Sequence, residues 1–280
     1  MSMEAEVTTA GIKVELPKSY EDIKDLIRID RLPHIWCPGC GLGILLKLLA
    51  RAIKNSGIPV EKHVIVTGIG CTGRLGGYLK LDAYHVTHGR AIPFAVGLKM
   101  ANPELEVTVV GGDGDILAIG GNHFIHAARR NDDINVIIVN NFIYGMTGGQ
   151  YSPTTPKGAK TTTSPPYGHY ENPFNVPLLA YAAGGASYVA RWTVLHQNEL
   201  YQSLLEMFKV KGFAVIEVLS PCIIYTDRNA MGDAVDLMKI LKERPVIDHN
   251  ANLADLDIDF SMKKIILGNF VKRERPISYG

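Results

Sequence analysis

The stretch VVGGDGDILAIGGNHFIHAARRNDDINVIIVNN, residues 109–141, decides the fold class. An apolar run ends in GGDGD, a helix-like segment follows over about 117–130, and a second apolar run over 134–140 ends in two asparagines. Runs that are apolar nearly throughout are typical of parallel strands covered on both faces. The stretch therefore predicts a strand–helix–strand unit of a parallel sheet.

The same alternation of strand and helix extends along the chain. Apolar runs at 63–68, 106–112, 134–140 and 213–219 predict strands, and helix-like segments lie at 41–57, 90–102, 117–130, 177–184 and 196–210. We predict an α/β fold with a mostly parallel sheet and helices on both faces. The predicted organisation is an N-terminal arm (1–36), a catalytic domain (37–222) and a C-terminal tail or small subdomain (223–280).

Composition limits the class of protein. The 280 residues are 46% hydrophobic and 20% charged, which is enough to bury a sizeable core. A net charge of +1 gives no reason to expect nucleic acid or an anionic membrane as partner. No run approaches the ~18 apolar residues that a membrane span needs, and the first residues do not resemble a secretion signal. We expect a cytoplasmic protein.

Polar side chains follow two neighbouring strands of the predicted sheet. Asp113 comes directly after one strand, and Asn141 follows the next strand along the chain. Parallel strands bring their carboxyl ends to one edge, where α/β proteins bind ligands. A carboxylate, an amide oxygen and a loop carbonyl suit Mg²⁺ holding a diphosphate at a helix N-terminus. An ordinary strand-to-helix turn capped by Asp would give the same GDGD letters.

Four cysteines occur in the chain. Cys37 and Cys40 form a C-x-x-C pair before a helix, whereas Cys71 and Cys222 each follow a strand. All four would gather at one end of the sheet. On spacing alone, zinc and a [4Fe–4S] cluster are equally good interpretations, and Cys71 and Cys222 would also suit buried core positions.

Several motifs in one order resemble a known family. They are WCPGCG (36–41), GIGC (68–71), THGR (87–90), GDGD (112–115), RRN (129–131) and NNFIYGMTGGQ (140–150). GDG followed by NN is the signature of thiamine diphosphate enzymes. The whole set resembles the beta subunit of the 2-oxoacid:ferredoxin oxidoreductases over roughly residues 31–225. The resemblance implies the thiamine diphosphate-binding fold, with thiamine diphosphate, Mg²⁺ and a [4Fe–4S] cluster as cofactors.

The resemblance also implies roles for individual residues. The cluster ligands would be Cys37, Cys40, Cys71 and Cys222. The Mg²⁺ ligands would be the side chains of Asp113 and Asn141 and the carbonyl of Ile143. The remaining cofactor contacts would be Ile69, Gly70, Cys71, Thr72, His88, Gly114, Asp115, Gly145 and Met146. Among these, His88 would also be catalytic, touching cofactor or substrate.

The activity implied is coenzyme A-dependent oxidative decarboxylation of a 2-oxoacid to acyl-CoA and CO₂. Electrons would pass through the cluster to ferredoxin, reversibly in principle. Such catalysis needs a glutamate from a second α/β domain, which we do not find here, so we expect an alpha subunit and an αβ or (αβ)₂ assembly. Gly148 stands where some relatives carry lysine, which favours 2-oxoglutarate over pyruvate.

Two other classes of function stay open at this point. One is a non-redox thiamine diphosphate enzyme whose cysteines hold structural zinc. The other is a non-catalytic module in which GDGD and NN are ordinary caps and turns. Neither would need ferredoxin, and the second would bind neither Mg²⁺ nor thiamine diphosphate.

Overall fold

The computed structural model describes residues 7–9, 12–14 and 18–278. The strands are β1 (Val7–Thr9), β2 (Ile12–Val14), β3 (His63–Thr67), β4 (Asp82–His85), β5 (Glu106–Gly112), β6 (Asn135–Asn140), β7 (Tyr188–Thr193), β8 (Ala214–Leu219), β9 (Pro245–Ile247) and β10 (Ile265–Lys272). The α-helices are α1 (Leu42–Lys54), α2 (Ala91–Ala101), α3 (Gly121–Arg130), α4 (Val176–Ala182), α5 (Gln197–Met207), α6 (Ile223–Arg228) and α7 (Ala234–Glu243). Within the described ranges, no helix has both the length and the apolar character to span a membrane.

Eight strands form one sheet in the order β4-β3-β5-β6-β8-β7-β10-β9. All neighbouring pairs run parallel except β10 and β7, which are antiparallel. The four strands predicted from sequence are β3, β5, β6 and β8, and they lie side by side in this sheet. The predicted fold class, a mostly parallel α/β sheet, is confirmed.

Each buried strand sends alternate side chains to opposite faces of the sheet. Ile65 and Ile137 belong to one core with α1 and α5, while Val66 and Val136 belong to a second core with α2, α3 and α4. The period of two in a strand makes this division, because successive side chains point to opposite faces. Helices therefore cover both faces, which explains why these strands are apolar at nearly every position.

The two chain ends relate differently to this sheet. From the predicted arm 1–36, residues 1–6, 10–11 and 15–17 lie outside the described residues, and β1 pairs with β2 in a separate small antiparallel ladder. Residues 18–36 pack on the body through buried side chains that include Ile23 and Ile27. At the other end, β10 joins the main sheet beside β7, so the 223–280 segment continues the sheet. The division at residue 222 stays a prediction.

Candidate cofactor site

The carboxyl ends of β3, β5 and β6 meet at one edge of the sheet. Gly112 lies opposite Val139 in the register, so Asp113 and Asn141 both leave the sheet at this edge. A cleft of about 150 Å³ opens there. Every residue predicted to hold thiamine diphosphate or Mg²⁺ lines it: Ile69, Gly70, Cys71, Thr72, His88, Asp113, Gly114, Asp115, Asn141, Ile143, Gly145 and Met146. The cleft therefore brings together four separate stretches of sequence, at 69–72, 88, 112–115 and 141–147.

Three oxygens converge on one side of this cleft. The Asn141 amide oxygen faces Asp113 Oδ1 at 3.1 Å and the Ile143 carbonyl oxygen at 2.9 Å. Without a cation, turning the amide over would let its nitrogen donate to both oxygens. With the oxygen inward, the three form a carboxylate–amide–carbonyl set, which is the donor chemistry that Mg²⁺ takes. These residues therefore fit a divalent cation.

Asp113 is buried beneath this set. Its other carboxylate oxygen, Oδ2, accepts hydrogen bonds from Ser152 Oγ at 2.6 Å and Thr154 Oγ1 at 2.5 Å. Burial raises the pKa of Asp113 to about 6, and the hydrogen bonds from the two hydroxyls act in the opposite direction. A bound cation would favour the charged carboxylate further.

A buried network fixes the chain just before Ile143. Phe142 has a φ of 65°, a left-handed conformation that is uncommon for a bulky residue. Its N–H donates to Asn140 Oδ1 at 3.1 Å, and its carbonyl accepts from Thr155 Oγ1 at 2.6 Å. Asn140 in turn donates to Glu217 Oε1 at 2.7 Å. The two asparagines therefore have different roles. Asn141 faces the cleft, whereas Asn140 stabilises the backbone conformation at Phe142.

The Asp115 carboxylate holds the opposite wall of the cleft. One oxygen, Oδ1, accepts from Gly89 N at 2.7 Å and Ile69 N at 3.2 Å and also contacts His88 Nδ1. With a carboxylate as acceptor, Nδ1 carries the proton and Nε2 is the free ring nitrogen of His88. We predicted Asp115 as part of the diphosphate cradle; the protein engages Oδ1 of its side chain, whereas Oδ2 is buried with no hydrogen-bond partner among the described residues.

The GDGD turn leads into a π-helical turn over Gly114–Ile119 and then into α3. This differs from the single helix predicted over 117–130. Gly114 lies against Tyr144: a Cβ there would come within 2.2 Å of the Tyr144 ring. The Tyr144 hydroxyl donates to the Gly114 carbonyl at 3.1 Å, and burial raises its pKa to about 12. Glycine is required here because the ring packs directly on the backbone.

The four cysteines surround the same end of the sheet. Burial raises the pKa of Cys40 to about 12, and charge on Cys222, Cys71 and Cys37 acts in the same direction. Backbone amides at the start of α1 and α6 act on Cys40 and Cys222 and lower their pKa in opposition to burial. Helix N-termini favour thiolates in this way.

Each cysteine sits differently in the protein. Cys37 is exposed, whereas Cys40, Cys71 and Cys222 are partly buried. Cys71 lines the cofactor cleft, and Cys222 Sγ lies 3.1 Å from the position a Cβ would take on Gly145, another cleft residue. In the described part of the chain, no three His, Cys, Asp or Glu side chains are placed to hold a single metal ion.

Sequence reasoning missed three contributors to this region. Ser152 and Thr154 contact Asp113 from the long loop between β6 and α4. Trp36 Nε1 donates to the carbonyl of Cys71 at 2.8 Å. The hydroxyl-rich run SPTT (152–155), one residue after the GGQ motif (148–150), was the available signal for the first two.

Comparisons with known proteins identify the family of this chain. Residues 68–218 match the family described as thiamine pyrophosphate enzyme, C-terminal TPP binding domain. The chain is 49% identical over 251 residues to 2-oxoglutarate synthase subunit KorB of Methanocaldococcus jannaschii, covering 89% of this chain and 92% of that protein. It is 44% identical over 194 residues to the 2-oxoacid:ferredoxin oxidoreductase subunit beta of Saccharolobus solfataricus, covering 69% and 63%.

A solved structure is similar over almost the whole chain. It is the 2-oxoglutarate:ferredoxin oxidoreductase from Magnetococcus marinus with 2-oxoglutarate, coenzyme A and succinyl-CoA bound. The TM-score is 0.80 at 30% identity, covering 99% of this chain and 90% of that one. The family resemblance stated from the motifs is confirmed. The chain belongs to the 2-oxoglutarate synthase type of beta subunit, among the 2-oxoacid:ferredoxin oxidoreductases.

Proposed function

We propose that this chain, together with an alpha subunit, oxidises 2-oxoglutarate. The balanced reaction is 2-oxoglutarate plus coenzyme A plus two oxidised ferredoxins giving succinyl-CoA, CO₂, two reduced ferredoxins and one proton. The observation that carries the proposal is the single cleft that Cys71 lines together with the converging oxygens of Asp113, Asn141 and Ile143. A cation–diphosphate site and a cluster ligand would then share one cleft.

Asp113, Asn141 and Ile143 would hold Mg²⁺, and the backbone around Gly114 and Gly145 would cradle the diphosphate. When bound, thiamine diphosphate supplies the carbon nucleophile that attacks the keto carbon and accepts the electron pair left when CO₂ departs. His88 would face the reacting atoms with Nε2, because Asp115 holds the other ring nitrogen. Nε2 would there accept or return a proton.

Cys37, Cys40, Cys71 and Cys222 would hold a [4Fe–4S] cluster as thiolates. Cluster binding would deprotonate Cys40, whose pKa burial raises to about 12 in the metal-free protein. Cys71 and Cys222 lie on the cleft side, whereas Cys37 is exposed in a groove of about 630 Å³ lined by Trp36 and other side chains. A cluster held by these cysteines would supply a one-electron acceptor beside the cleft, and the exposed Cys37 marks the side on which ferredoxin would approach.

The alpha subunit would close the cleft and supply the glutamate that activates the cofactor. Two apolar side chains stand exposed at the edge of the cleft: Ile69 is 42% exposed and Met146 is 49% exposed. Exposed apolar groups beside a binding cleft are typical of a surface that a partner covers. We propose an αβ or (αβ)₂ assembly on this basis.

The substrate is proposed from Gly148 and from the relatives. Gly148 has a φ of 104°, and a Cβ there would meet nothing within 4 Å. A lysine at this position would be strained by this backbone conformation. The relatives named 2-oxoglutarate synthase or 2-oxoglutarate:ferredoxin oxidoreductase support 2-oxoglutarate over pyruvate.

The test begins with the chain purified together with its alpha subunit under strict anaerobiosis. Iron, acid-labile sulfide and zinc are assayed in the same sample, and 2-oxoglutarate is then compared with pyruvate using coenzyme A and ferredoxin. We expect roughly four iron and four sulfide per chain, and a higher kcat/KM for 2-oxoglutarate.

Other results would contradict different parts of the proposal. One zinc per chain with no sulfide would leave a non-redox thiamine diphosphate enzyme. Equal use of pyruvate would overturn the substrate assignment alone. Full cluster occupancy in a Cys222→Ser variant would remove Cys222 from the ligand set.

A further inference from the structure

We propose that the turn Ser152–Thr155 positions the cation ligands of the cofactor site. This inference rests on the proposed function, because it concerns the divalent cation that would hold the diphosphate. Ser152, Thr154 and Thr155 are 0%, 3% and 0% exposed, although they belong to a long loop between β6 and α4. Three buried hydroxyls in one loop turn need partners inside the protein.

Two of the hydroxyls fix the Asp113 carboxylate. Ser152 Oγ and Thr154 Oγ1 both donate to Oδ2, at 2.6 and 2.5 Å. With Oδ2 held from behind, Oδ1 is the oxygen that faces Asn141. The hydroxyls therefore prevent rotation of the carboxylate and leave one oxygen for the cation.

The third hydroxyl acts on the carbonyl ligand. Thr155 Oγ1 donates to the Phe142 carbonyl at 2.6 Å and accepts from Ser152 N at 2.8 Å. Phe142 holds its left-handed conformation immediately before Ile143, whose carbonyl is the third oxygen of the set. One turn of the loop thus orients both a side-chain ligand and a backbone ligand.

Outer partners of this kind orient metal ligands, and their loss typically weakens metal binding roughly 10- to 100-fold. The test uses the complete assembly with its alpha subunit, freed of thiamine diphosphate and divalent cations. Mn²⁺ is then titrated at saturating thiamine diphosphate, and unbound Mn²⁺ is measured by electron paramagnetic resonance. The readout is Mn²⁺ affinity, which does not depend on turnover.

The variants are Ser152→Ala and Thr154→Val, with two matched controls. Thr154→Ser keeps the donating hydroxyl, and Thr162→Val removes an exposed hydroxyl from the same loop. We expect Ser152→Ala and Thr154→Val to raise the Kd for Mn²⁺ roughly 10- to 100-fold. Thr154→Ser and Thr162→Val should bind Mn²⁺ like the wild type, and iron content should be equal in all four.

Wild-type Mn²⁺ affinity in both Ser152→Ala and Thr154→Val, with native near-ultraviolet circular dichroism, would overturn the inference. If Thr154→Val does not fold, Ser152→Ala decides. If the wild-type assembly itself binds no Mn²⁺ with thiamine diphosphate, the proposed cofactor site is wrong and this inference with it. The two failures are therefore distinguishable.

Discussion

Asp115 gathers three donors on one carboxylate oxygen, and one of these donors is His88. Asp115→Asn keeps the size of the side chain but removes its charge. A hydrogen bond to a charged group is worth about 1.5–3 kcal/mol, so we expect kcat to fall roughly 10- to 100-fold. Steady-state kinetics of the assembly with 2-oxoglutarate would measure this fall, with thiamine diphosphate affinity as the control.

Because Asp115 acts through His88, the two changes should not add. His88→Gln combined with Asp115→Asn should lose little more activity than His88→Gln alone. Additive losses would mean that Asp115 supports the turn at Ile69 and Gly89 and not the histidine.

His63, at the start of β3, gives a pH dependence of stability. It is 1% exposed, and burial lowers its pKa to about 4 from the ordinary value of 6.5. Between about pH 6.5 and pH 4, His63 binds a proton in the unfolded chain but not in the folded chain. The free energy of unfolding therefore falls as the pH drops through this range. The full effect is about 3 kcal/mol.

The measurement for His63 is the thermal midpoint between pH 5 and pH 8. The wild type should lose stability more steeply toward pH 5 than His63→Gln, which has no group to titrate at this site. Parallel pH profiles of the two proteins would contradict the prediction.

At the scale of elements, Asn131 joins the end of α3 to three other segments. Its φ is 56°, its Oδ1 accepts from Phe213 N at 2.8 Å and Ser187 Oγ at 3.0 Å, and its Nδ2 donates to the Arg275 and Pro276 carbonyls. Asn131→Ala leaves the buried Phe213 N–H without its acceptor and places alanine in a left-handed conformation. We therefore expect the free energy of unfolding to fall by about 2–4 kcal/mol. Urea unfolding would measure this loss.

Asn131→Gly is the matched variant, because glycine accepts the left-handed conformation but provides no side chain. It should be about 1 kcal/mol more stable than Asn131→Ala and still less stable than the wild type. Equal stability of the alanine and glycine variants would show that the backbone conformation contributes nothing.

The strands that the sequence predicts are those rich in apolar β-branched residues. β3, β5, β6 and β8 are buried at nearly every position, and their apolar runs reveal them. β7 carries Arg191 in its middle, fully buried and bonded to Glu217 Oε2 at 2.6 Å, so its sequence does not look like a core strand. β4 is exposed at all four positions and is defined only by pairing with β3.

In the candidate site too, some residues are predictable from a local sequence pattern and others are not. Asp113 and Asn141 are predictable because each follows a strand, and the sheet brings strand ends together. Ser152 and Thr154 contact Asp113 across 39 and 41 residues of sequence, through a loop whose path no periodicity encodes. The π-helical turn after GDGD is likewise hidden, since its Gly120 N to Asp115 O hydrogen bond has no counterpart in α-helical spacing.

At the scale of the whole molecule, the C-terminal segment completes the sheet. Leu267 in β10 is 0% exposed and lies in the same core as α1 and α5. Leu267→Asp buries an unpaired charge, so we expect a loss above about 4 kcal/mol or insoluble protein. Lys264→Asp, at an exposed position just before β10, is the control and should behave like the wild type. Soluble yield and thermal midpoint would measure both; a stable Leu267→Asp protein would make 223–280 an independent appendage.

Cys71 belongs to two sites at once, since it lines the cofactor cleft and is one of the proposed cluster ligands. The oxidation state of such a cluster and the binding of cofactor in the cleft would then be thermodynamically coupled. If filling the cleft shifts the midpoint potential of the cluster, reduction of the cluster must shift the affinity of the cleft by the same factor. A substitution at Cys71 would therefore change both the midpoint potential of the cluster and the affinity of the cleft for its cofactor. Evolutionary selection on one of these properties would also act on the other.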